Sequence, residues 1–515
     1  MVTARLIVLC TLMIAFSRDN PTSVSFASDH VGSAPIDFTV VCEQPKEPLR
    51  VFYVDPVAGS MKGDGSKSHP WKTLSEVVEA KLISGADSSK GIVHAGDAIY
   101  LMSGNHGRVR FPQNSNNTDY ITIQSAPDQE PVLNSLEMSG GDKWAFKGLT
   151  IQNADDGKGD QLVTMTRLNH FVFTGNTLYS QPDVSNWTTD DWLKSGSKGI
   201  YYEGECAIIT GNTLKNLRRG IVISGDKILI SHNEIDYYVD DGIDFTSGNT
   251  VISHNRVINH CGKCKDGNHN DGIQGWTVDG KANKNVTIDS NLILESTGKY
   301  PEIPLLPTAI EPDGIQGMFI SDGRWENVTV TNNVIGAAYF HGMTLCGFSN
   351  SIVANNTVVK QSNNAKITPQ LGVYESGDKI PADNVIVRNN IAHRFNLSPV
   401  GVVQDHNISL SMPQTNSREL GRFSIGSPRK MFVNYDLKKG PFDLTLREDS
   451  FAIGRGNPEG APAFDILGRK RDKKVVDAGA YMYEKPKKNT EEESVKTDPR
   501  KALIKGRSDS AKPTK

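Results

Sequence analysis

The sequence predicts an all-β fold, a right-handed parallel β-helix: a solenoid of stacked coils with a short N-terminal capping helix. Three observations carry this. Short β-branched segments ending in Asn recur along the chain. A second kind of segment, built on Gly followed by an apolar residue, alternates with them. Glycine is abundant, 47 of 515 residues, which suits many short strands and tight turns.

The first repeat reads FVFTGNTL, AIITGNTL, ILISHNEI, TVISHNRV, VTIDSNLI, VTVTNNVI, SIVANNTV and VIVRNNIA. Its asparagines are Asn176, Asn212, Asn233, Asn255, Asn291, Asn333, Asn356 and Asn390, spaced by 36, 21, 22, 36, 42, 23 and 34 residues. The shortest spacings fit one coil, and the longer ones fit a coil plus an insertion. Asn tolerates left-handed backbone and its amide pairs with peptide groups, so these positions predict a structural ladder inside the turns. His232 and His254 precede ladder asparagines in matched SHN segments and are read as structural too.

The second repeat reads KGIY, RGIV, DGID, DGIQ, DGIQ, HGMT and LGVY, with Gly199, Gly220, Gly242, Gly272, Gly314, Gly342 and Gly372. No single coil buries its apolar face, so stacking supplies one continuous core. The domain is expected over residues 50–484. At its start, HPWKTLSEVVEA predicts an amphipathic helix that covers the exposed end of the solenoid. At its end, FDILGRKRDKKVVDAGAYMYE predicts closing strands.

The flanks read differently. Arg5 followed by the apolar run LIVLCTLMIAF predicts an export signal over residues 1–27, cleaved after Ala27, with an uncleaved anchor as the alternative. No later run is long enough to span a membrane. Residues 485–515 hold ten Lys or Arg, five Asp or Glu and few apolar groups, the composition of a disordered tail. The net charge of −3 gives no basic surplus for nucleic acid, and the mean hydropathy of −0.40 predicts a soluble, exported protein, expected to be a monomer. Beyond Cys10, five cysteines remain, too few for a disulfide scaffold. Cys261 and Cys264 form one CGKC loop, open to a local disulfide, two thiols, or zinc with His260 and His269.

The opening YVDP, HPWKTLSEVVEA and GDAIYL, together with the ending GRKRD and VDAGAYMYE, resembles exported β-helical polysaccharide lyases of the chondroitinase-B and alginate-lyase group. Asp240, Asp241 and Asp244 in VDDGIDF look like the DD-x-x-D calcium site of one group of β-helical pectate lyases. That resemblance implies calcium at these three acids. It also implies an Asp on the preceding coil and a catalytic Lys on a later one, where this chain has Arg219 and Gln274.

Stacked strands lie about 4.8 Å apart, so matching positions form columns. The residue before each Gly gives Lys198, Arg219, Asp241, Asp271, Asp313 and His341. The residue two after each Gly gives Tyr201, Val222, Asp244, Gln274, Gln316 and Thr344, facing outward because strand side chains alternate. A uronate lyase needs a cation for the sugar carboxylate and a base for the C5 proton. Lys198, Arg219, His269, Asp271, Asp313 and His341 are the candidate catalytic groups. Gln274, Gln316 and Trp276 are the candidate substrate contacts, and an acidic polysaccharide is the expected partner. Three insertions, 183–197, 260–270 and 296–312, all precede this column and would wall it. They bring Trp187, Trp192 and Tyr300, which either stack on sugar or pack beneath the loops. Paired carboxyls would equally suit a hydrolase, and a glycan-binding protein without turnover needs neither chemistry.

Overall fold

The computed structural model describes residues 42–485 apart from 84–90, 155–158, 160, 263–268, 302, 304–313, 363, 365, 412–423 and 437–441. The expected export signal lies outside the described residues, as does nearly all of the expected tail. Among the described residues, no helix is long and apolar enough to cross a membrane.

Each full coil has three sides. The first two belong to one parallel sheet of twenty strands, and the third forms a parallel sheet of thirteen. Three columns of apolar side chains run through the interior. On the first side Ile200, Ile221, Ile243, Ile273, Met318, Met343 and Leu371 stand in register. The second side stacks Ile209, Ile230, Ile252, Ile288, Val330, Val353 and Val387. The third stacks Leu214, Ile235, Val257, Ile293, Ile335, Val358 and Ala392. All are buried in one cluster. Each buried aliphatic side chain contributes roughly 1.5–3 kcal/mol before conformational entropy is subtracted.

The asparagine ladder forms as expected, at the corner between the second and third sides. Asn212 donates from Nδ2 to Asn233 Oδ1 at 2.9 Å, and Asn233, Asn255, Asn291, Asn333 and Asn356 repeat the bond to the next rung. Asn407 extends it by a rung that the repeats did not reveal. The left-handed residue is not the ladder Asn but the one before it: His232, His254, Ser290, Asn332, Asn355 and Asn389 all have φ near +55°. His232 and His254 stack on each other at 4.8 Å, in keeping with a structural role.

The N-terminal end is capped by the helix Leu74–Glu79, which buries Leu74, Val77 and Val78. Thr73 accepts a hydrogen bond from the Glu76 amide at its start. The C-terminal end departs from expectation. Parallel pairing ends with Ile408–Ser409 against Ser424–Ile425. The segment 456–485 forms turns and isolated bridges rather than closing strands. It lies along the ladder corner because side chains there capture its backbone. Asn355 Nδ2 donates to Asp477 O at 3.0 Å, and Asn389 Nδ2 to Asn457 O at 2.9 Å. The buried Arg471 donates to Asn332 Oδ1 at 2.9 Å and to the Gly479 and Ala480 carbonyls. The solenoid proper therefore stops short of residue 484.

Cys42 and Cys206 form a disulfide that ties the described N-terminal segment to the second side. Their separation of 164 residues hid the pair from a reading of local spacing. Cys261 is buried, and Cys264 lies outside the described residues.

Candidate functional site on the first side

The candidate site runs along the corner where the third side turns into the first. Two positions before the paired residues Ile221, Ile243, Ile273, Met318 and Met343 stand Arg219, Asp241, Asp271, Gln316 and His341. Lys198 pairs with Arg219 on the preceding coil. The outward column on the strand itself is Tyr201, Val222, Asp244, Gln274, Phe319 and Thr344.

One expectation is corrected here. Gln316 belongs to the first column, not the second, and Phe319 takes the outward place beside Gln274. The segment DGIQGMF offers two glycines, and pairing selects the second: Gly272 donates to the Gly317 carbonyl at 2.8 Å. Gly317 has φ +78°, and a Cβ there would meet the Gly342 carbonyl oxygen at 2.1 Å, so only glycine fits. Asp313 lies outside the described residues.

The acids form a compact group with two arginines and a histidine. Arg219 Nη2 lies 2.9 Å from Asp241 Oδ2, and its Nε lies 3.5 Å from Asp244 Oδ2. Arg218 Nη2 lies 3.2 Å from Asp240 Oδ2. Asp241 Oδ1 accepts the Asp271 amide at 3.0 Å, linking one coil to the next. Asp271 Oδ2 is 3.0 Å from His269 Nδ1. Burial pushes the Asp271 carboxyl up to about 7, against the opposing pull of the His269 hydrogen bond. Burial likewise raises Asp241, with Arg219 pulling back, and holds Asp244 well above the usual carboxylate range. The hydrogen bond to Asp271 raises His269 above an ordinary imidazole.

Exposure separates these groups. The side chains of Asp241, Asp244 and Asp271 are at most 2% exposed, whereas His269 is 48% exposed and Arg219 28%. Lys198 is exposed, and Gln274, Trp276 and His341 are half-buried. Among the described residues of this corner, the imidazole and the cations reach solvent while these three carboxylates do not. Asp244 Oδ1 and Asp271 Oδ1 are buried with no hydrogen-bond partner.

In this arrangement the Arg219 guanidinium bridges Asp241 and Asp244, the two acids that a shared calcium would join. Among the described residues, no group of three or more His, Cys, Asp or Glu side chains is disposed to hold a metal. His260 is also committed. Its Nε2 donates to the Val239 carbonyl at 2.9 Å, and Nδ1 lies 3.4 Å from the buried Glu295. That leaves no imidazole nitrogen at His260 for the zinc alternative.

The wall aromatics pack rather than face the column. Trp192, in the helix Thr189–Ser195, is buried against Trp187 and Tyr237. Tyr300 lies over Tyr237 at 4.6 Å. Its hydroxyl donates to the buried Asp236, which also receives Lys299 at 2.5 Å and Asn259 at 2.6 Å. Asp236 thus fastens Lys299 and Tyr300 to the third side. Sequence reasoning missed Asp236, Glu295 and Phe319. The first two stand inside strands or loops with no repeat to mark them, and the third was hidden by the register.

Residues 161–358 match the family described as right handed beta helix region. Among solved structures, the chain is similar to XylC in complex with xylose, at 10% identity and a TM-score of 0.50, covering 84% of this chain and 98% of that one. It is also similar to the pectate lyase Pel9A, at 13% identity and 0.45, covering 85% and 97%. A rhamnogalacturonan lyase follows at 13% and 0.43, covering 84% and 96%. No curated protein matches by sequence. The family match and the likeness to XylC show the right-handed parallel β-helix and nothing finer, since one fold serves many chemistries.

Proposed function

We propose that this protein is an exported polysaccharide lyase that cleaves a uronate-containing acidic glycan by β-elimination. The carrying observation is the exposure pattern: the half-exposed His269 is backed by the buried Asp271, beside the Arg219 guanidinium. In this reading Asp271 orients the imidazole so that Nε2 faces the glycan as a base, the logic of carboxylate-supported histidine catalysis. Arg219 and Lys198 receive the sugar carboxylate, which makes the C5 proton more acidic. His269 takes that proton. The C5–H electron pair forms the C4–C5 double bond as the C4–O bond breaks, and the departing oxygen takes a proton from solvent.

A hydrolase needs carboxyls that touch the glycosidic bond. Asp241 and Asp271 are too deeply covered for that, which ranks hydrolysis second. Retention of glycan without turnover is the third reading. Incubation with alginate, pectate and glycosaminoglycans separates them. The lyase reading expects ultraviolet absorbance from unsaturated uronate ends, lost in His269→Ala. New reducing ends without that absorbance would replace it with hydrolysis.

Calcium is a separate proposal, since the ion would have to displace Arg219 from Asp241 and Asp244. A calorimetric titration with calcium chloride that gives no heat disposes of it. Export draws support from the Cys42–Cys206 disulfide, which persists in oxidising compartments. A monomer is expected, and light scattering tests it.

A further inference from the structure

Past His269 the corner changes character. Phe319 occupies the outward column between Gln274 and Thr344. Its ring lies 6.3 Å from His269 and meets His341 edge-on at 4.9 Å. His341 is held through Nδ1 to Thr344 Oγ1 at 3.0 Å and packs 4.1 Å from Phe340. Tyr339 stacks on Phe340 at 4.7 Å. Phe340 is 40% exposed, and Phe319, Tyr339 and His341 are half-buried. One exposed aromatic is ordinary. Four contiguous rings on the same corner as a polar column form a continuous platform.

The charges are split the same way. Lys198 and Arg219 lie on the coils before Asp241 and Asp271, whereas the coils after them present Gln316, Phe319 and His341 in the two columns. An aromatic face carries the negative side of its quadrupole, so it favours sugar C–H groups and disfavours a carboxylate. The rise of about 4.8 Å per coil is close to the length of one pyranose residue. A glycan lying along the corner would thus present successive sugars first to cations, then to His269, then to the rings.

We propose that Phe319, Phe340, Tyr339 and His341 form a subsite for a neutral pyranose, so that the substrate is a mixed polymer with a neutral sugar next to the uronate. The inference rests on the proposed glycan path but not on the elimination chemistry. The test uses Phe340→Ala, which is exposed and spares the core, and Phe319→Ala. Binding is measured by calorimetry on a homopolymeric uronate, a polymer alternating uronate with neutral hexose, and a neutral polymer.

The wild-type protein is expected to prefer the alternating polymer about tenfold. Each variant is expected to lose most of that preference, which at tenfold is about 1.4 kcal/mol. The loss should fall on KM more than kcat. A preference that survives both substitutions overturns the subsite, and so does a wild-type preference for the homopolymer or no binding to any of the three. His269→Ala keeps the two ideas apart. Ring-dependent binding without turnover by any protein sinks the lyase reading alone. Turnover with no ring dependence sinks the subsite alone.

Discussion

Replacing Asn255 by Leu tests the ladder that sets the coil register. Asn255 is 1% exposed. Its Nδ2 donates to the Ile230 carbonyl and to Asn291 Oδ1, both at 3.0 Å. Its Oδ1 accepts the Asn233 amide N–H and side chain, also both at 3.0 Å. Leucine has similar size but removes all four bonds. Asn291 Oδ1 keeps the backbone N–H of residue 255, and Asn233 keeps its bond to Ile209. Two groups are then left unpaired in the interior, the Asn233 backbone N–H and one of its amide protons, and the Ile230 carbonyl loses one of its donors. Each orphan costs about 1–3 kcal/mol, and local relaxation recovers part, so a loss of roughly 3–5 kcal/mol is expected. Because each coil touches only its neighbours, a broken rung also weakens coupling along the solenoid. Urea unfolding followed by circular dichroism should show an earlier and broader transition, or two. A single unchanged transition with a loss below about 1 kcal/mol would refute the ladder as an energetic element.

Asp271→Asn should reduce turnover at least about a hundredfold on the glycan identified, with the fold intact, since it removes the carboxylate behind His269. Full activity in that variant would move the base away from this coil. Stability carries a pH signature from the same carboxyl. It titrates near 7 when folded but near 4 when unfolded, so its contribution is full below about 4 and is lost as pH rises through about 7. The melting temperature should therefore fall between pH 5 and pH 8, and Asp271→Asn should flatten that fall; equal slopes in the two proteins would count against a buried, proton-holding Asp271. Cys42→Ser should cost roughly 2–4 kcal/mol by releasing a long loop in the unfolded chain, and mass spectrometry of the alkylated wild-type protein that found both thiols free would remove the disulfide itself.

The sequence determined the architecture, because a solenoid repeats its physics in every coil. The asparagines from Asn176 to Asn390 mark one corner, and Gly199, Gly220, Gly242, Gly272 and Gly342 mark another, whereas Gly372 falls further along the strand, opposite Thr344. The apolar residue after each corner names the interior column. A period seen many times is legible without any long-range knowledge, which is why the ladder and the N-terminal cap could be read directly. It also brought Arg219, Asp241, Asp271 and His269 to one corner.

What repetition could not decide was anything fixed once. The register at DGIQGMF offered Gly314 and Gly317 equally, and only pairing with Gly272 and Gly342 selected the second, placing Phe319 in the column. The Cys42–Cys206 pair and the docking of 456–485 on the ladder join distant segments that share no local signal. The side-chain state of the acids was likewise a tertiary matter. Three Asp–Gly segments look alike in sequence, but Asp241 and Asp271 are buried while His269 keeps about half its side chain in solvent. Arg219 reaches across to the next coil to lie between Asp241 and Asp244. Alternation along a strand fixes which way a side chain points, and only the packing of neighbouring loops fixes how much water remains above it.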